Sequence, residues 1–270
     1  MDKKLAYAIW PWGVETKEQY IQALEDITSI GYKYFESVKT ALNVFGSDYE
    51  ELWRIADHYG VKPIGFYFNL TEDPKADLAD ARKFLPILAK HGIDTVNLQA
   101  MLVPGGHPTE EQLDRTLDTI TQFGVIGGEC GVKPCCHPHV NTALTFEKEI
   151  DFLFGNTDPE LIFMGPDTAH LKAGGCDPYA VIERYADRVH FTHLKDLSDA
   201  ESSAAGYKAG VEIYSNFAEL GTGDIDFPAI AQLLRDSGYD GYYTAELDMS
   251  KTTHRDSAKA NWDYMNEVFG

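Results

Sequence analysis

Short apolar runs recur along the chain, separated by longer segments in which apolar positions repeat at helical spacing. The runs are residues 5–10, 33–37, 62–68, 95–99, 132–136, 161–164, 189–194 and 242–247. Most show little alternation, which suits parallel strands buried on both faces between helices. The intervening helices carry their own end signals. Thr16 with Gln19 makes a capping box, and Asp226 stands as a cap before a first turn containing Pro228. Phe227, Ile230, Leu233 and Leu234 then form an apolar stripe at helical spacing. Gly31, Gly60, Gly92, Gly131 and Gly238 each end a helical pattern just before a strand, where a left-handed residue costs glycine least. Two of these boundaries share a wording, Gly60-Val61-Lys62-Pro63 and Gly131-Val132-Lys133-Pro134. Helix, glycine and strand recur until eight strands are counted. The pattern predicts an α/β fold, a (β/α)8 TIM barrel in a single domain over residues 1–270.

Length agrees, because such a barrel takes roughly 250 residues and the chain has 270, 44% of them hydrophobic. Charge narrows the partners. With 23 basic and 43 acidic residues the net charge is −20, which repels a phosphate backbone and an anionic membrane surface alike. Neither nucleic acid nor a membrane is an expected partner. The apolar stretch at residues 5–10 is too short for the core of a signal peptide and stops at Pro11, and no segment is long enough to span a bilayer. Cys130, Cys135, Cys136 and Cys176 lack a paired zinc spacing, and neighbours Cys135 and Cys136 point to opposite sides of a strand. Reduced thiols in the cytoplasm are the expectation. Dinucleotide, phosphate-loop and serine-elbow glycine motifs are all missing, which disfavours nucleotide cofactors and serine acyl chemistry.

The polar residues that close the strands carry the candidate chemistry. His137, Asp167, His193 and Glu246 directly close the apolar stretches 132–136, 161–166, 189–192 and 242–245, and a parallel barrel delivers all its strand ends to one face. Two imidazoles and two carboxylates form a donor set for a divalent ion: Mn, Co, Fe, Mg or Zn. His137 and His139 lie two apart, on one side of an extended segment, as do His193 and Lys195. Either His137 or His139 serves as the ligand on this reading. A lysine near a metal has its pKa lowered and can act as general acid or base. Asp167 and His170 come close if the chain turns after the strand, although an aspartate there also serves to cap the turn. Glu36 and Gln99 end earlier strands and are expected substrate contacts, while Trp10 suits either packing or the site. Residues 198–223 form one long irregular connection, rich in Ser, Ala and Gly, on the catalytic face, where they would serve as a lid.

His137-Pro138-His139-Val140-Asn141-Thr142, Asp167-Thr168-Ala169-His170, His193-Leu194-Lys195-Asp196 and Gly221-Thr222-Gly223-Asp224-Ile225-Asp226-Phe227-Pro228 together give a further reading. The chain resembles the xylose-isomerase-like sugar phosphate isomerase/epimerase superfamily, and within it the inosose dehydratase branch. The resemblance implies a divalent ion, often Mn or Co, on the residues matching Asp167, His193 and Glu246. Its epimerases carry a glutamate as fourth ligand where this chain has His137. They use two metal-bound glutamates to move a proton to and from the carbon beside a carbonyl, so losing one points to one-way elimination.

The implied activity is a metal-dependent lyase, a dehydratase of a keto-polyol or keto-sugar, acting by α-proton abstraction and β-elimination. Glu246 or Lys195 would take the proton, and His139 or His170 would supply one to the leaving hydroxyl. A ketose 3-epimerase or sugar isomerase is the alternative, as is a lyase of 3-keto-glycosides, including C-glycosides. Inosose dehydratases carry glycine after the His-x-His element, where this chain has Asn141, so the substrate is the less determined part. The superfamily also holds endonucleases for damaged DNA, against which the charge argues. Its members often form homo-oligomers, and no feature of this chain fixes the number.

Overall fold

The structure is a computed structural model and describes residues 4–46, 49–200 and 211–270. Eight parallel strands form one sheet: β1 Leu5–Ala8, β2 Tyr34–Val38, β3 Lys62–Asn69, β4 Thr95–Gln99, β5 Lys133–His137, β6 Phe163–Met164, β7 Thr192–Leu194 and β8 Tyr243–Ala245. Their order is β6-β5-β4-β3-β2-β1-β8-β7. Parallel bridges Met164 to Val189 and Asp167 to His193 join the two outer strands, completing the ring. The helices α1 Lys17–Ile30, α2 Lys39–Val44, α3 Tyr49–Tyr59, α4 Pro74–Lys90, α5 Glu110–Cys130, α6 Glu147–Gly155, α7 Thr168–Ala173, α8 Pro178–Arg184, α9 Phe227–Asp236 and α10 His254–Val268 occupy the intervals.

Local signals set the helix ends. The Gln19 backbone N–H donates to Thr16 Oγ1 and the Thr16 N–H to Gln19 Oε1, completing the capping box of α1. Asp226 accepts from the Ala229 N–H, and Phe227, Ile230 and Leu234 turn the inner face of α9 into the core. Gly31, Gly60, Gly92, Gly131 and Gly238 all have positive φ, and a Cβ on Gly31 would meet the Trp262 ring at 2.9 Å.

Strand boundaries differ from the sequence pattern where backbone donors fail. β1 stops at Ala8, and Trp10–Trp12 form a 3-10 turn, because Pro11 has no N–H for the ladder. β6 is the shortest strand and is followed by Gly165-Pro166, so the ring closes there through isolated bridges. Arg188 supports this weak corner from below. Its buried guanidinium donates to the carbonyls of Phe154 and Ile162, each at 2.7 Å, and to Thr157 Oγ1 at 3.0 Å.

Strand alternation sorts the side chains into two cores. Most apolar residues pack between sheet and helices, while Ala6, Ile64, Cys135 and Phe191, with Tyr34, Phe163 and Tyr242 against them, form a separate apolar cluster. These residues come from the early, inward positions of their strands and plug the barrel below the polar strand ends. Cys135 belongs to this plug and Cys136 to the outer core, as their alternation requires.

Gly165 makes room inside the ring. A Cβ there would lie 2.6 Å from Asn97 Oδ1 and 3.1 Å from Cys135 Cβ. Gly165→Ala should therefore lower stability by about 1–3 kcal/mol through overpacking. Urea unfolding checks this, and an unchanged midpoint would show that the barrel interior relaxes around the methyl group.

Candidate metal and active site

The ends of β4 to β8 bring polar side chains to one level. Gln99 pairs in register with His137, Asp167 bridges to His193, and the Glu246 N–H donates to the Leu194 carbonyl. His137, Asp167 and His193 are buried and offer one ligand atom each, all within 4.8 Å of one another. His137 Nδ1 lies 3.1 Å from His193 Nδ1, and His137 Nε2 lies 3.9 Å from Asp167 Oδ2. Asp167 does two things at once. Its Oδ1 caps α7 by accepting the His170 N–H at 2.9 Å, whereas its buried Oδ2 has no hydrogen-bond partner.

A second group of potential ligands, Asp167, His170 and Glu246, adjoins the first. Lys195 Nζ sits among these residues, bonded to Glu246 Oε2, 2.6 Å from Asp248 Oδ2, 3.2 Å from His170 Nε2 and 3.4 Å from Asp167 Oδ2. Burial favours the neutral amine, but Asp167, Asp248 and Glu246 outweigh it and hold the Lys195 ammonium well above its ordinary range. The depression expected of a lysine beside a bound ion is opposed by three carboxylates on one amine. Its backbone is also fixed, since Thr168 Oγ1 donates to the Lys195 carbonyl and accepts from its N–H. Burial raises the Glu246 carboxyl well above its ordinary range and Asp248 adds to this, while Lys195 opposes. Trp10 Nε1 donates to the other Glu246 oxygen at 3.3 Å.

The donors fit a divalent cation. Asp167, Glu246 and Asp248 crowd around one ammonium and Glu36 lies against His193 close by, leaving negative charge in a buried site. Burial, reinforced by neighbouring charges, lowers His137 and His170 far below the ordinary imidazole range, and burial lowers His139 to about 4. All three are neutral at pH 7, as metal ligands must be. Two nitrogens 3.1 Å apart also match neighbouring ligands each about 2.1 Å from one ion.

The sequence-predicted residues take distinct places. Glu246, expected in one ligand set with His137 and His193, instead groups with Asp167 and His170, and donors already hold both its oxygens. His139 lies against His170 with ring centroids 3.6 Å apart and planes tilted by 31°, and its Nδ1 is 2.7 Å from the Val140 carbonyl. His137, His139, His170, Glu246 and Gln99 line a cavity of about 480 Å³. Glu36, expected to touch substrate, does not line it: completely buried, its carboxylate is engaged by His193 and Asn97. Its strand places it one inward position below the rim.

Sequence reasoning passed over Asp248 and Tyr67 and left Trp10 undecided. The spacing that paired His193 with Lys195 also pairs Glu246 with Asp248. Tyr67 donates to Gln99 Oε1 at 2.8 Å and shares the cavity wall with Trp10. The expected lid falls partly outside the described residues, at 201–210. Where its return segment is described, Tyr214 and Phe217 pack their rings against His170. Asp196 anchors both ends, accepting N–H groups from Leu197, Gly221 and Gly223.

A parallel barrel with a charged, ion-competent cluster at its C-terminal mouth has its polar groups where TIM-barrel enzymes of many chemistries carry their active sites. The profile of the xylose isomerase-like TIM barrel family matches residues 24–268, and the chain belongs to that family. The inosose dehydratase of Lacticaseibacillus casei is 29% identical over 264 residues, spanning 89% of this chain and 84% of the relative. Among solved structures, the IOLI protein with a bound zinc atom superposes with a TM-score of 0.77 at 16% identity, covering 98% of each chain. A Bacillus anthracis protein assigned as the 3-DHS dehydratase AsbF gives 0.76 at 14% identity, covering 97% of this chain and 98% of its own. Among the described residues no helix is long and apolar enough to cross a membrane.

The buried imidazoles give the metal-free protein a characteristic pH response. His137, His139 and His170 stay neutral in the fold while the unfolded chain protonates near 6.5, and His139 itself protonates in the fold near 4. Unfolding therefore takes up protons at these three imidazoles. Stability should fall as pH drops below 6.5, by roughly 1.4 kcal/mol per pH unit for each proton taken up. Urea unfolding with a chelator, run from about pH 7.5 to about pH 5, measures this slope. A flat profile would mean that these rings protonate freely in the fold.

Proposed function

We propose that the chain is a metal-dependent carbon–oxygen lyase that dehydrates an uncharged keto-polyol of the inosose type. The observation that carries this reading is the adjacency of an ion-competent group, His137, Asp167 and His193, to a raised carboxylate, Glu246, on a shared cavity wall. The dehydratase name of the relative covering 84% of its own length supports the reaction class. A bound ion, with Mn or Co expected and Zn, Fe or Mg also suited to these donors, would polarise a carbonyl and stabilise enolate charge.

The residues divide the proton work. Glu246 takes the proton from the carbon beside the carbonyl, and its raised pKa makes it the stronger base. His170 supplies the leaving hydroxyl. Lys195 donates to its Nε2, so the ring proton sits on Nδ1, a buried atom with no other partner. His139 holds its own Nδ1 proton on the Val140 carbonyl, so its Nε2 offers a lone pair and it is the weaker candidate donor. As Glu246 gains a proton, one of the three carboxylates holding Lys195 becomes neutral. Lys195 then passes a proton to His170 Nε2 as Nδ1 gives its proton to the departing oxygen, and direct contact with Glu246 restores it. One water leaves, Glu246 and Lys195 end as they began, and His170 is left as the Nε2–H tautomer, which returns to the Nδ1–H form by proton exchange before the next turnover.

Charge selects the substrate class. Lys39 is the only lysine or arginine among the lining residues described, and Asp80 takes its ammonium at 2.5 Å. No unpaired cation there meets a phosphate or carboxylate, while Glu246 and Asp248 repel one. Trp10 and Tyr67 offer ring faces to the apolar side of a polyol, and about 480 Å³ suits a single ring.

Mass spectrometry of inososes, ketohexoses and 3-keto-glycosides, incubated in D2O with Mn- or Co-loaded protein, tests the reading. Loss of water from an inosose is the expected result. Deuterium uptake without loss would indicate a ketose 3-epimerase, and release of an aglycone a keto-glycoside lyase. Glu246→Gln should lower turnover by about 100- to 10,000-fold with substrate affinity nearly unchanged. A chelator should abolish activity until a divalent ion is returned.

A further inference from the structure

Glu36 is the one buried carboxylate of this cluster that neither lines the cavity nor touches Lys195. It lies in the middle of β2, beside a register shift that sets Phe35 against Pro63 but Glu36 against Gly65. Such bulges re-aim the side chains next to them. Its Oε2 contacts His193 Nε2, and its Oε1 accepts from Asn97 Nδ2 at 2.7 Å. Asn97 has space only because position 165 is glycine. The His193 ring is enclosed by Trp10, Tyr67 and Phe191, with centroids 5.5, 5.9 and 5.6 Å away.

We propose that Glu36 is a positioning residue that fixes His193 as the Nε2–H tautomer and aims the lone pair of Nδ1 at the His137–Asp167 group. A carboxylate only accepts, so the His193 proton facing it must sit on Nε2. Nδ1 is then the free donor atom, and it is the atom 3.1 Å from His137 Nδ1. Asn97 holds the far oxygen of Glu36, so the carboxylate cannot turn away, and the aromatic enclosure keeps the ring from flipping. The consequence for ion affinity rests on the metal reading above, while the tautomer itself does not. A negative charge behind a ligating imidazole strengthens its hold on a metal, and losing such a partner typically weakens binding about 10- to 100-fold.

The test combines nitrogen NMR of the histidines with zinc titration of wild-type, Glu36→Gln and Glu36→Leu protein. Metal-free wild type should show His193 protonated on Nε2. Glu36→Gln keeps an acceptor, so it should retain that tautomer and bind zinc more weakly than wild type but better than Glu36→Leu. In Glu36→Leu the Nδ1–H form should appear, and zinc affinity should fall by about 10- to 100-fold. Nδ1 protonation in wild type, or a Leu variant with unchanged tautomer and affinity, would overturn the proposal. If Glu36→Leu does not fold, the wild-type spectrum alone decides between the two tautomers. A wild type with the Nε2–H form that takes up no zinc would sink the metal reading and leave the positioning of His193 standing.

Discussion

Four carboxylates and one ammonium packed into the mouth of an apolar barrel impose the constraint on which the site depends. Glu36, Asp167 and Glu246 are almost fully buried, and so is Lys195. Charges so placed persist only when paired or hydrogen-bonded. Each ring and strand end around them answers that demand. Trp10 and Lys195 hold Glu246, Asn97 and His193 hold Glu36, and the α7 backbone holds one oxygen of Asp167. Asp167 Oδ2, shared between two potential ligand groups, has the Lys195 ammonium 3.4 Å away but no hydrogen bond.

The fold supplies this arrangement through register. One inward position per strand faces the mouth, the position before it reaches the level of Glu36, and those below form the aromatic plug of Tyr34, Phe163 and Tyr242. Glycine appears where two side chains would otherwise collide inside the ring, as at Gly165. The chemistry therefore occupies the wet end of a barrel whose other end is sealed. Lys195 neutralises the carboxylates and bridges Glu246 and His170.

Much of this was legible in sequence. Buried parallel strands announce themselves as apolar runs, and polar residues that close them converge by topology alone, so His137, Asp167 and His193 could be placed together before any coordinates. The helix signals at Thr16 and Asp226 are local chemistry and read directly. Other features depend on long-range placement. Glu36 looks like a rim residue because it ends an apolar segment, yet the bulge between β2 and β3 sets it against Gly65, below the cavity. The lowered Lys195 pKa follows in sequence from a nearby ion, whereas the carboxylates arriving after β6 and β8, which raise it, are set by long-range placement. Asp248 was missed although it repeats the two-residue spacing of the other pairs. Ring closure through single bridges at β6 and β7 is likewise set by Gly165-Pro166 and by Arg188, whose carbonyl partners come from distant segments.

The central claim is that the unmet negative charge at the mouth belongs to one divalent ion held by His137, Asp167 and His193, with Lys195 serving as the cation of the adjoining group. Anomalous diffraction from crystals soaked in Mn²⁺ locates such an ion directly. A single peak bounded by His137, Asp167 and His193, with Lys195 still on Glu246, is the expected result. A peak among Asp167, His170 and Glu246 with Lys195 displaced, or no peak at the mouth, would contradict the account.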